Sequence, residues 1–383
     1  MTGAYTADLS ETITLPTGEL SLRVYDGPPL RDLCDFAARS NPKRGFLIVS
    51  KILGRHLPAS PVEMRRSMQV LAQKIAADLP QPIVFLGLAE TATALGQGVF
   101  AAFQQIHPAA KVLYLQSARQ RVEGVQVLTT FEEGHSHATT HLVQIADPEL
   151  EALARSARSL VIVDDECSTG NTFIGAAEAL ANVMPHLECI ETCCITDWGG
   201  GAYLDAMPLP TQARAILSGS MQWQAATLPA QPVLAARTNQ PGGAPAEGMR
   251  SRTGLTRPER AVRQPIKAVA GERILVLGEG EHSYEALLAA EEVEAQGAIA
   301  AVQCITRSPA LLGHAMQSAS AFSDAYGSGA PCFLYNILGH RPDRILILSE
   351  VVRDQAAEAR AALAQLGRDI LVEVVACRYG DGQ

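Results

Sequence analysis

The chain has 383 residues, 47% of them hydrophobic, and its 40 acids against 31 Lys and Arg give a formal charge of −9. That length exceeds one ordinary core and suggests two domains. The acidic balance argues against a nonspecific nucleic-acid binder, which needs basic faces to neutralise phosphates, and leaves a small phosphorylated metabolite open as a partner.

The opening stretch MTGAYTADLSETITLPTG lacks a basic segment followed by an apolar one, so no secretory signal is expected. No uninterrupted apolar run reaches the roughly 18 residues of a membrane span. The expectation is a cytoplasmic protein with neither membrane nor nucleic acid as partner. The eight cysteines form no CxxC pair, and several lie in apolar runs such as that of Cys193 and Cys194, as buried reduced thiols do.

KRGFLIVSKILGRHLP sets Lys43, Arg44, Lys51, Arg55 and His56 around an apolar strand. From Pro80 onward, short aliphatic runs alternate with helical patterns. PIVFLGLAETATALGQGVFAAFQQI reads as strand, turn and helix, AKVLYLQ as the next strand, and SLVIVDDECSTGNTFIGAAEALANVM as strand, turn and helix again. IETCCITDW follows as a strand. Strands alternating with helices imply a parallel sheet covered on both faces. In EEGHSHATTH, His137 and His141 are spaced i and i+4, which on a helix would put both imidazoles on one face, with Glu133 and His135 nearby; a bound metal is one reading, although HExxH is absent.

At about Pro229 the texture becomes rich in Pro, Gly, Ala and Arg, which reads as an exposed linker over 229–268. RILVLGEGEHSYEALLAAEEVEAQG then resumes the strand, glycine turn and helix pattern, and later aliphatic runs supply further strands. The fold class expected is therefore α/β: a parallel-sheet domain over 1–228, then a smaller Rossmann-like α/β domain over 269–383. GEGEHSYE is no GxGxxG fingerprint with a ribose-binding acid, so NAD is not expected.

The stretch LVIVDDECSTGNT carries the most chemistry. Its strand would deliver Asp164 and Asp165 to the carboxyl edge of a parallel sheet, where open α/β folds bind ligands. The turn from Ser168 to Asn171 and the helix start near Thr172 then offer hydroxyls and N–H groups to an anion. Carboxylates repel a phosphate unless the ligand also brings vicinal hydroxyls or a divalent cation. A ribose 5-phosphate with Mg²⁺ meets both demands.

This stretch resembles the phosphoribosyl pyrophosphate (PRPP) motif of type I phosphoribosyltransferases. The resemblance implies that Asp164 and Asp165 hold the ribose hydroxyls and, with PRPP, Mg²⁺, while Ser168, Thr169, Gly170, Asn171 and Thr172 hold the 5-phosphate. Some purine-salvage members have an Asp where Ser168 stands, so purine salvage is in doubt. FLGLAETATALG resembles the pyrophosphate loop of the same enzymes and implies pyrophosphate binding by Ala89, Glu90, Thr91 and Ala92, with Lys51 as a nearby cation. Between the motifs these enzymes carry a mobile loop; Arg119 and Arg121 would neutralise departing pyrophosphate, and Glu133, His135, His137 and His141 would belong to that loop. Trp198 would stack on the acceptor base.

CITRSPALLGH contains Thr306, Arg307, Ser308 and Pro309, the tetrapeptide of the TRSP domain, which follows a phosphoribosyltransferase domain in bacterial proteins encoded near tellurium-resistance and stress-response genes. Thr306, Arg307 and Ser308 would hold a ligand of that second domain. Family analogy implies a homodimer, with PRPP and a nitrogenous acceptor of unread identity as partners. Two other classes compete. A signalling receiver also opens on VIVDDE, but it would leave STGNT unexplained. A protein that senses PRPP or a nucleotide without turnover would use the same loops.

Overall fold

The structure is a computed structural model, and it describes residues 9–39, 41, 44–132, 140–226, 243–245, 248–351, 356–367 and 369–379. The chain starts with an antiparallel pair, β1 (Leu9–Leu15) and β2 (Gly18–Asp26), followed by the single turn α1 (Leu30–Leu33) and the hairpin β3 (Cys34–Ala38) and β4 (Phe46–Ser50). α2 (Pro61–Lys74) leads to three aliphatic units: β5 (Ile83–Gly87), α3 (Thr93–Ile106) and β6 (Val112–Gln116). Next come the short β7 (Arg121–Val122) and an antiparallel pair, β8 (Gln126–Glu132) and β9 (Thr140–Ile145). α4 (Pro148–Arg155) starts at Asp147, whose side chain accepts the Glu149 N–H, a helix cap of the usual kind. β10 (Ser159–Val163), β11 (Glu166–Cys167), α5 (Asn171–Ala181), β12 (Cys189–Asp197) and β13 (Thr211–Ala225) complete the first domain.

β6, β5, β10, β12 and β13 pair in parallel in that order, and β2 and β1 extend the β13 edge antiparallel. Every residue of β5, β6 and β10 is buried, as an all-apolar run requires when helices cover both faces. The pleat splits these runs between two cores. Phe85, Val161 and Val163 face the α2 and α3 side, while Val84, Leu86, Leu160 and Ile162 face α4 and α5. Numbered along the chain, the parallel strands stand 2-1-3-4-5. The order reverses between β5 and β10, so their carboxyl ends open a crevice.

β14 (Gly243–Ala244) pairs with β7, and a second parallel sheet follows. It is built from β15 (Arg273–Glu279), α6 (Tyr284–Glu294), β16 (Ile299–Ile305), β19 (Arg344–Ser349), α7 (Ala357–Ala364) and β20 (Leu371–Ala376). Its order β16-β15-β19-β20 has a reversal of its own between β15 and β19. The antiparallel pair β17 (Ala319–Ser323) and β18 (Pro331–Tyr335) stands beside it.

The two sheets share one core. Met64 of α2 and Phe100 of α3 belong to the same buried cluster as Leu287 of α6 and Val302 of β16. Arg65 closes that seam with a two-pronged pair to Glu291, Nε to Oε1 at 2.7 Å and Nη2 to Oε2 at 2.9 Å. The exposed linker expected over 229–268 therefore needs correction at 251–255. Ser251 and Arg252 are completely buried, because Arg252 donates to Glu281 at 2.7 Å and pairs with Glu350 at 2.6 Å. All eight cysteines are free, and burial raises the thiol pKa of most of them.

Candidate functional site

Beyond Val163 the chain turns along the sheet edge. The Asp164 N–H donates to Cys193 O at 2.9 Å, and Asp164 Oδ1 accepts the Asp165 N–H at 2.9 Å, so the two acids stand side by side at the strand end. Burial, followed by the neighbouring Glu166, pushes the Asp165 carboxyl up to about 6, against the pull of Asp164 and Arg44. Arg44 comes from the β3–β4 hairpin, pairs with Glu166 and lies 4.7 Å over the Phe46 ring.

The loop then presents Ser168 and Thr169 and reaches Gly170, whose φ of 79° is left-handed. A Cβ there would lie 2.2 Å from Tyr203, so backbone geometry and space both demand glycine. Thr169 and Asn171 are exposed, and Ser168 and Thr172 half-buried. α5 begins at Asn171, and its first turn has N–H groups without intrahelical acceptors, the arrangement that receives an anion.

Across the crevice, β5 delivers the second loop. Leu88 N–H donates to Val163 O at 2.9 Å, so the two loops leave the sheet as neighbours. Ala89 N–H donates to Ser117 Oγ at 2.8 Å, and Ser117 Oγ lies 2.9 Å from His141 Nδ1. His141 is buried and stacked on Phe131, centroids 4.4 Å apart at 9°. The Ala89–Glu90 peptide is cis. Glu90 pairs with Arg55, which is 2% exposed and whose Nη1 donates to Gly280 O at 2.6 Å. Arg119 reaches the same loop, Nη2 donating to Ala89 O at 3.4 Å and Nη1 to Thr140 O at 3.0 Å.

Thus Asp164, Asp165, the 168–172 loop, Glu90, Thr91 and Arg119 converge on one crevice, whereas Ala89 is buried with its N–H spent on Ser117 and Ala92 is fully buried in the main core with its N–H donating to Leu88 O at 3.1 Å. Other expected residues go elsewhere. Lys51 is exposed and donates from Nζ to Arg31 O at 2.7 Å, so its ammonium is committed away from the Ala89 loop. Arg121 is exposed on β7. Trp198 is 2% exposed within the main core, packed where a Gly219 Cβ would meet its ring at 2.9 Å, so no face is left for a stacked base. His141 sits on the strand β9, which removes the helical spacing that paired it with His137; Glu133, His135 and His137 lie outside the described residues.

In the second domain Thr306 is buried, with Oγ1 accepting the Ser308 N–H at 3.2 Å, while the Ser308 carbonyl accepts the Tyr335 hydroxyl at 3.0 Å. Thr306 and Ser308 thus shape a turn. Arg307 differs: it pairs with Asp324 at 2.8 Å and lines a narrow cleft, partly open to solvent, with Glu279, Gly280 and Tyr326. Among the described residues no group of three or more His, Cys, Asp and Glu is placed to hold a metal on its own. The paired oxygens of Asp164 and Asp165 beside an anion cradle fit Mg²⁺, which takes one or two carboxylates and completes its shell with substrate phosphates and water. Sequence reading missed Ser117, whose only signal is a polar residue closing the apolar run of β6, and Arg252, which reads like any linker arginine.

A family model described as phosphoribosyl transferase matches residues 33–219, and one described as TRSP domain C terminus to PRTase_2 matches residues 245–366. None of the curated proteins compared with the chain matches it. Among solved structures, adenine phosphoribosyl transferase from Trypanosoma brucei, in complex with AMP, pyrophosphate and ribose-5-phosphate, is 11% identical over 49% of this chain and 80% of its own, TM-score 0.33. The adenine phosphoribosyltransferase of Rhodothermus marinus is 15% identical over 49% and 96%, TM-score 0.33, and that of Giardia lamblia, complexed with 9-deazaadenine, 17% over 49% and 94%, TM-score 0.31. Likenesses at this level carry no assignment of substrate.

Proposed function

Because the chain belongs to the phosphoribosyl transferase family that carries a TRSP domain at its C terminus, we propose that the crevice between β5 and β10 performs Mg²⁺-dependent transfer of the 5-phosphoribosyl group of PRPP to a nitrogen nucleophile. The observation that carries this reading is the meeting of two adjacent carboxylates with a hydroxyl-rich anion loop at the point where the strand order reverses.

In this account the α5 N-terminus and the Ser168 to Thr172 loop grip the 5-phosphate, and Asp164 and Asp165 accept hydrogen bonds from the ribose diol. The half-buried part of the Ala89 to Ala92 loop, at Glu90 and Thr91, and the Arg119 guanidinium receive the pyrophosphate. Asp164 and Asp165 would also hold Mg²⁺, which would supply charge neutralisation for the departing pyrophosphate. The bond between C1 and the pyrophosphate oxygen breaks as positive charge develops on the ring, the pyrophosphate leaves with the electron pair, and the acceptor nitrogen forms the new bond to C1 and releases its proton to solvent. The chain contributes position and preorganised charge more than covalent chemistry.

The test is release of pyrophosphate on mixing the chain with PRPP, Mg²⁺ and a panel of nitrogen heterocycles and amines. Acceptor-dependent release is expected. Tight PRPP binding with no release across the panel would favour the sensing alternative.

A further inference from the structure

We propose that the second domain completes the pyrophosphate subsite, with Arg307 acting on the pyrophosphate of the ligand bound between β5 and β10; this rests on the reading of that crevice given above. The loop expected to receive pyrophosphate is short of charge. From Leu88 to Ile106 the sequence contains no Lys, Arg or His, and it contains an acid, Glu90. A loop of this kind needs its cations from elsewhere, because a pyrophosphate carries several negative charges into a partly desolvated site.

The second domain is built against this loop. Gly280 O accepts from Arg55, the partner of Glu90. Ser283 Oγ lies 2.6 Å from Thr93 Oγ1, at the first residue of α3. Glu281 accepts the Arg119 N–H, and Arg119 in turn reaches Ala89 O. With its amide oriented so that both ends find partners, Gln120 donates to Glu281 at 2.5 and 2.8 Å and accepts from Arg307 Nη2 at 2.8 Å. Arg307 is thereby bonded to the chain neighbour of Arg119 and, through Gln120 and Glu281, to the Arg119 N–H.

Arg307 Nη2 is shared between Asp324 and Gln120, each at 2.8 Å. Its side chain is 19% exposed at the cleft, and its ion-pair partner Asp324 is already satisfied by the Ser328 N–H at 3.0 Å and the Ser328 hydroxyl at 2.6 Å. Against the cost of burial, Glu90 and then Asp324 hold the guanidinium above its ordinary pKa, and Gly280, which lines the Arg307 cleft, is bonded to the Arg55 that pairs with Glu90. A pyrophosphate arriving at that loop meets Glu90 already neutralised by Arg55, and Arg307 exchanges part of its pairing with Asp324 for a phosphoryl oxygen. Thr306 and Ser308 shape the turn that presents it.

Calorimetry on the full chain with Mg²⁺ separates the subsites: pyrophosphate reports one, ribose 5-phosphate the other. Arg307→Gln should weaken pyrophosphate at least about ten-fold, the scale of a charge-assisted hydrogen bond, and leave ribose 5-phosphate unchanged. Asp324→Asn, which frees Arg307, should hold or tighten pyrophosphate binding. Unchanged pyrophosphate affinity in Arg307→Gln would overturn the inference while leaving the crevice reading intact, and so would equal losses of both ligands, or an Asp324→Asn variant that weakens pyrophosphate as Arg307→Gln does. A wild-type chain that binds neither ligand would remove the crevice reading and this inference together.

Discussion

Gly170 is where a single Cβ would do most harm to the 168–172 loop. Gly170→Ala forces a side chain into a left-handed backbone at about 1–2 kcal/mol and against Tyr203 at 2.2 Å. Overpacking of that kind adds about 1–3 kcal/mol, so the variant should melt several degrees lower and lose affinity for ribose 5-phosphate. Differential scanning calorimetry and titration check the two effects. Glu279 offers a pH test. Burial, with Glu350 and Asp324 adding to it, raises its carboxyl to about 7, so the native chain keeps a proton that the unfolded chain loses near pH 4.5. Stability from this group therefore falls as pH rises from 4.5 to 7. Glu279→Gln removes that dependence and should stabilise the chain more at pH 8 than at pH 5, measured by urea unfolding at both; a larger gain at pH 5 would contradict it. That Asp164, Asp165 and the 168–172 loop meet at the sheet edge was legible because they are contiguous. Arg55 could be suspected as a cation, but its pairing with Glu90 joins residues 35 positions apart and no local pattern encodes it. Trp198 failed as a stacking residue because an aromatic closing a strand serves the core equally well.

At the scale of elements, the turn 250–252 is a plug. It carries Arg252 to the reversal point of the second sheet, where Glu281 after β15 and Glu350 after β19 face each other at full burial. An open α/β sheet uses that position for a ligand; here the chain fills it with its own guanidinium. Arg252→Met leaves two buried carboxylates without a cation and should cost about 3–5 kcal/mol. Adding Glu281→Gln and Glu350→Gln should recover much of the loss, since the cost lies in the stranded charges; denaturant midpoints of the single and triple variants decide this. The strands of both sheets were readable as aliphatic runs bounded by glycine and acids, since double-sided burial erases alternation. β1 and β2 went unread because they sit among polar residues and show only the half-buried alternation of an edge meander. The burial of 251–255 was equally unreadable, because Pro, Gly and Arg describe a solvated linker and a structured plug alike.

For the whole molecule, one shared core joins the sheets through α2, α3 and α6, with the Arg65 and Glu291 fork across the seam. Units that share a buried core unfold together. Tryptophan fluorescence, which reports the first domain through Trp198 and Trp223, and far-ultraviolet circular dichroism, which reports both, should give coincident denaturant transitions. Two separated transitions would mean that the seam is weak. A fused second domain makes sense if it supplies what the first lacks, and the loop after β5, which has no basic residue of its own and which we propose receives pyrophosphate, is what the second domain packs against. All of this depends on the crevice holding a ribosyl phosphate. The decisive measurement is calorimetric titration of the intact chain with PRPP, with and without Mg²⁺, beside the double variant Asp164→Asn, Asp165→Asn. Binding that requires Mg²⁺ and falls by at least about a hundred-fold in the folded variant is the predicted result, each lost charged contact contributing about 1.5–3 kcal/mol. A folded wild-type chain that does not bind PRPP, or a variant that binds it as tightly as wild type, would contradict the account.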